Sequence, residues 1–83
     1  MNKKLLKFST FKGFDVGDYV VCIMDYKGYD HGNNINLIKD KVYQVENKSG
    51  NFICVDGFYW DSYRFRKATE EDIIRYDMDN YNL

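Results

Sequence analysis

The sequence predicts an all-β domain, a small barrel of about five short strands with a short C-terminal helix. Three observations carry that expectation. The chain has 83 residues, enough for one domain around one core. Short runs of β-branched and aromatic residues recur between turns rich in Gly, Asn and Asp. Only the segment after Thr69 opens like a helix. Aromatic residues make up 18% of the chain, and their large side chains let a small core suffice.

Val16-Gly17-Asp18 reads as a turn in which Gly17 takes positive φ and Asp18 holds the bend through its carboxylate. Tyr19 to Met24 follows as a strand, with Val20, Cys22 and Met24 on one face and Tyr19, Val21 and Ile23 on the other. Both faces are apolar, so the strand is expected to be covered on both sides. Tyr26 to Ile38 has no sustained period and contains Gly28, Gly32, Asn33 and Asn34, so it reads as a long loop. Ile35, Leu37 and Ile38 are expected to tuck its end onto the core. Val42 to Glu46 is a second strand, with Tyr43 and Val45 inward and Gln44 and Glu46 outward. Asn47 to Asn51 reads as a hairpin turn and Phe52 to Val55 as the third strand. Asp56-Gly57 is the strongest tight-turn signal, because both residues tolerate the positive φ of a type I′ turn. Phe58 to Trp60 is a fourth strand, and Tyr63 to Lys67 holds a bend or fifth strand with Phe65 in the core. Thr69 is placed to cap a helix whose first turn carries Glu70, Glu71 and Asp72, where the helix dipole favours acids. That helix is expected to reach about Tyr76 and to lay Ile73 or Ile74 on the barrel. One domain is expected over 1–83: a basic arm (1–14), a barrel (15–68) and an acidic helix and tail (69–83).

These strands, the long first connection and the tight later turns resemble an SH3-like barrel. A weaker likeness is to eukaryotic SH3 domains, through Cys22-Ile23-Met24-Asp25-Tyr26. The paired Trp and the groove Pro of those domains are missing, so proline-peptide recognition is not carried over. The stronger likeness is to small SH3-like β-barrel proteins of tailed phages. It rests on Val16-Gly17-Asp18-Tyr19-Val20-Val21-Cys22, Lys41-Val42-Tyr43-Gln44-Val45 and Tyr63-Arg64-Phe65. The absence of Pro and the heavy use of Asn, Asp, Lys, Ile and Tyr fit the AT-rich coding of many phages and low-GC bacteria. The resemblance implies a phage-encoded protein that binds and modulates a host protein.

The motifs narrow the chemistry. Cys22 and Cys54 lie in apolar runs and are read as small core residues; with His31 they make no metal-ligand spacing, and no metal or other cofactor is expected. His31 stands beside Asp30, but Ser9, Ser49 and Ser62 carry no nucleophile signature, so no catalytic residue and no enzyme is expected. Gly28 to Gly32 lacks the Lys-Ser/Thr of a phosphate loop. No run is long enough for a membrane span or a signal h-region, so a soluble, cytoplasmic protein with reduced thiols is expected.

The aromatics are the main lead, since Tyr26, Tyr29, Tyr59, Trp60 and Tyr63 are too many for a core this small to swallow whole. Tyr26, Tyr29, Trp60 and Tyr63 are the candidate surface for a protein partner, because Tyr and Trp join apolar area to a polar tip. The alternative places Trp60 in the barrel as a plug with the tyrosines on its rim. The net charge is −1, but it is unevenly spread. Residues 1–14 carry Lys3, Lys4, Lys7 and Lys12 and no acid. These lysines, with Arg64 and Arg66, form the candidate surface for a second reading, nucleic-acid binding. A structural, self-associating role in a larger assembly is the third.

Overall fold

The computed structural model describes residues 13–81. Eight short strands precede one helix: β1 (Tyr19–Cys22), β2 (Tyr26–Asp30), β3 (Asn33–Leu37), β4 (Val42–Gln44), β5 (Asn47–Ser49), β6 (Phe52–Val55), β7 (Phe58–Asp61), β8 (Phe65–Lys67) and α1 (Glu70–Tyr81). A single 3-10 turn, Ser62–Arg64, joins β7 to β8. The fold is mostly β with a C-terminal helix, as expected. The strands do not close into a barrel. They form three antiparallel sheets in the orders β4-β1-β8, β2-β3 and β5-β6-β7. The division follows from partner exchange within two residues. The Val45 amide donates to the Asp18 carbonyl at 2.9 Å, and the next amide, Glu46, donates to Cys54 at 2.8 Å.

Several segments differ from the sequence expectation: β1 ends at Cys22 instead of Met24, α1 runs on to Tyr81 past the expected Tyr76, and two stretches change type. Tyr26 to Leu37 is a hairpin, not a loop. His31 and Gly32 both take positive φ (53° and 84°), as a two-residue I′-type turn requires. Asn47 to Ser49 is a strand, paired with β6, and the turn is confined to Gly50 and Asn51. The other turns behave as read. Asp56 and Gly57 have φ of 52° and 85°. The Asp15 amide donates to Asp18 Oδ2 at 2.8 Å.

The core gathers Phe14, Val20, Cys22, Leu37, Tyr43, Val45, Ile53, Val55, Trp60 and Phe65. Strand β1 is covered on both faces, since Val20, Val21 and Cys22 are all buried. Met24 and Ile23 are exposed instead of continuing that strand, because the chain turns at Cys22 and Arg64 takes up both amides through its carbonyl. Ile38 is likewise exposed, while its amide donates to the Tyr43 hydroxyl at 2.9 Å. Tyr43 stacks edge-on against Phe65, and burial pushes its phenol up from the ordinary value.

Helix α1 is fixed by its third residue. The Thr69 amide and hydroxyl donate to Asp72 Oδ2 at 2.8 and 2.9 Å, and the Asp72 amide donates to the Thr69 hydroxyl at 3.1 Å. This is a reciprocal capping box with Asp in place of Glu. Arg66 Nη1 reaches Asp72 Oδ2 at 2.9 Å and Arg75 Nη2 reaches Oδ1 at 3.3 Å. The Arg66 guanidinium first, then the Thr69 donors, hold the Asp72 carboxyl far below the usual carboxylate range. The Tyr76 ring packs on Tyr19 with centroids 5.4 Å apart, which seats the helix on β1. Ile73 is half-buried and Ile74 is exposed.

Tyr43→Phe strips the Ile38 amide of its acceptor and is expected to cost about 1–2 kcal/mol in urea unfolding. Asp72 is charged in the fold well below the pH at which an unfolded Asp takes its proton. Its contribution is therefore complete above that ordinary value, near pH 4, and is lost as pH falls towards its depressed folded value. Asp72→Asn is expected to lower Tm by several degrees at pH 7 and to flatten the acid limb of a Tm-against-pH curve.

Candidate functional site

A groove of about 350 Å³ lies between the β2-β3 hairpin and the β6-β7 pair. Tyr26, Phe52, Tyr59, Trp60, Asp61 and Arg64 line it, with Ile35 and Phe58 among the deeper apolar residues and Asp30 at the hairpin. The hairpin turns one face to the groove. Strand period places Tyr26, Gly28 and Asp30 on that face and Lys27 and Tyr29 on the other.

Trp60 is the floor of the site. It is only 8% exposed, belongs to the core, and its indole N–H donates to the Val55 carbonyl at 3.4 Å. Tyr26 meets it edge-on, with centroids 5.3 Å apart. The Tyr26 ring lies over Gly28. A Cβ at Gly28 would stand 2.7 Å from Tyr26 Cε2 and from its hydroxyl oxygen, so only glycine lets the ring lie there. The Arg64 guanidinium lies over the Tyr26 ring at 5.4 Å and near the Tyr63 ring at 5.9 Å, in range for cation–π attraction. It also donates to the carbonyls of Met24 and Asp25 at 3.3 and 3.1 Å.

The structure thus brings Tyr26, Trp60 and Tyr63 together through Arg64. Tyr29 is 76% exposed near the hairpin tip, on the face turned away from the groove. Of the basic candidates, Lys3, Lys4, Lys7 and Lys12 lie outside the described residues. Arg64 is committed to the aromatic stack, and Arg66 to Asp72. Phe52 was not among the sequence candidates, and Tyr59 was counted with the surplus aromatics but left out of the candidate surface, yet they are 45% and 51% exposed on the groove rim. For Phe52 only its alternation with buried Ile53 hinted at this.

The remaining chemistry-bearing groups sit apart. His31 Nδ1 lies 3.2 Å from Asp30 Oδ1 at the exposed hairpin turn. Burial raises the Cys22 thiol above its ordinary value, and burial followed by the Glu46 carboxylate raises that of Cys54, which keeps both protonated. Among the described residues no three His, Cys, Asp or Glu side chains gather at metal-binding range. No helix among them is long and apolar enough to cross a membrane. No protein-family model, curated protein or solved structure matches the chain.

Gly28→Ala is expected to push the Tyr26 ring off the hairpin and to change the near-UV circular dichroism of Trp60. In a Tyr26→Ala background the same change meets no ring. It is expected to leave stability unchanged within about 0.5 kcal/mol there, while costing about 1 kcal/mol or more in the wild type.

Proposed function

We propose that this chain is a non-catalytic binding module, phage-encoded and modulating a host protein, that holds a segment of that partner in the groove between β2-β3 and β6-β7. One observation carries the reading. Five aromatic rings and a stacked guanidinium line a single concave strip, and two of those rings, Phe52 and Tyr59, stand half-exposed with no ring partner among the described residues. Large aromatics left in water cost free energy that a partner recovers, and such residues dominate interface energetics. Trp60 serves from below, by setting the floor on which Tyr26 rests.

The strand arrangement supports an SH3-like reading of the fold. The β2-β3 hairpin occupies the place of the long first connection, the later turns are tight, and a 3-10 turn precedes the last strand.

Nucleic-acid binding finds less support among the described residues, since Arg64 and Arg66 already have partners and the groove carries Asp30 and Asp61. A phosphate-binding surface would lose affinity steeply with salt.

The test is capture from bacterial lysate on immobilised protein, with nuclease treatment in parallel. Tyr26→Ala/Phe52→Ala is expected to lose a nuclease-insensitive partner by about tenfold or more while keeping the far-UV spectrum of the wild type. Tyr29→Ala, on the opposite face, is expected to retain it. A partner held equally by the double variant would sink the groove; one released by nuclease would move the case to nucleic acid.

A further inference from the structure

We propose that Asp61 is the charge-reading residue of this groove and receives the cationic side chain of a lysine or arginine on a protein partner. The inference rests on the binding-module reading and adds the chemistry of what is bound. Asp61 is the last residue of β7 and pairs across the ladder with Phe52. Tyr59 lies two residues earlier on the same face. Asp61, a half-buried residue, therefore stands beside two half-exposed rings.

Among the described residues the Asp61 carboxylate has no hydrogen-bond or ion-pair partner. Asp61 occupies the cap position of the 3-10 turn, yet its side chain makes no capping hydrogen bond. Among the described residues Asp15, Asp18, Asp40 and Asp72 are ion-paired with Lys or Arg, Asp30 is exposed and lies beside His31, and Asp61 has no such pair. Asp25 and Asp56 are also without ion pairs, but both are exposed to water, which solvates them. Among the described acidic residues, Asp61 alone combines partial burial with the absence of an ion pair. A charge drawn out of water without compensation is unfavourable, and an incoming cation relieves it.

The neighbouring groups select the kind of cation. The ring faces of Phe52 and Tyr59 attract an ammonium or guanidinium and give its alkyl stem apolar surface to lie on. The carboxylate then accepts a charge-assisted hydrogen bond from the head group. Arg64 does not already fill this role. Its guanidinium donates to the Met24 and Asp25 carbonyls, stacks with Tyr26, and forms no ion pair with Asp61. Asp30, the other groove carboxylate, already faces His31. A phosphate or carboxylate ligand would meet repulsion from both aspartates.

The experiment is a peptide-display selection from random sequences on the immobilised wild-type chain, followed by titration of one enriched peptide. Enriched sequences are expected to share Lys or Arg at one fixed position. The titrated peptide is expected to weaken about tenfold or more against Asp61→Asn, as loss of a charge-assisted hydrogen bond implies, and to keep its affinity for Asp56→Asn. Replacing the shared basic residue by citrulline or glutamine, with wild-type protein, is expected to weaken binding by the same factor, and this arm is independent of how Asp61→Asn folds. Enrichment with no basic position, or a basic preference that survives Asp61→Asn, would overturn the role of Asp61 and leave the groove standing. No enrichment at all would overturn both.

Discussion

The position of the β2-β3 hairpin depends on one residue, Arg64. Its carbonyl accepts the amides of Ile23 and Met24 at 2.7 and 3.3 Å, and its guanidinium donates to the carbonyls of Met24 and Asp25. Four contacts therefore bind the 3-10 turn to the corner where the chain leaves β1. The hairpin has no ladder to either of the other sheets, so this corner, the Tyr26–Trp60 contact and the burial of Leu37 in the core are what aim it. Once aimed, it becomes one wall of the groove. A residue that reads in the sequence as a surface cation is thus a strut, and its charge is spent inside the molecule.

A second constraint works at the other end. Asp72 gathers donors from Thr69, Arg66 and Arg75, so the helix start is clamped to β8 as well as capped. The clamp sets the direction of α1 and brings Tyr76 over Tyr19. Val21, whose side of β1 is opposite to that of the core residues Val20 and Cys22, is then only 1% exposed. The strut Arg64 and the clamp's donor Arg66 stand two positions apart, with Phe65 between them filling the core. Three consecutive residues thereby serve hairpin, core and helix in turn.

Much of this was legible where the signal is local. Asp56-Gly57 announced its turn because few residues tolerate two successive positive φ angles. Phe65 announced its burial by standing between two arginines. Thr69 announced the helix by what followed it. The hairpin was hidden because its turn uses His31-Gly32 in place of the usual Asn-Gly, and because β2 and β3 expose most of their residues and so show no apolar alternation. Strand β5 was hidden for the same reason: Asn47, Lys48 and Ser49 are all exposed and are extended only because β6 pairs with them. Of the site, its aromatic character was legible. The grouping of Tyr26, Trp60 and Tyr63, and the exclusion of Tyr29, depended on which strand face each residue occupies. That could not be read before the hairpin was known. The burial of Asp72 depended on two arginines, Arg66 and Arg75, converging on a residue that resembles an ordinary solvated helix acid.

The placement of β1 has a consequence for how the chain acquires its structure. This strand lies at the centre of its sheet, with β4 on one side and β8 on the other. Its partner residues run as far as Lys67 along the chain. On a ribosome, Val20, Val21 and Cys22 emerge early and must wait for Phe65 to Lys67 before both their edges are paired. The hairpins β2-β3 and β6-β7 join neighbouring segments and can form during that wait. The nascent chain therefore carries an apolar strand with an open edge until Phe65 to Lys67 have been made, and β8 is the strand that seals it.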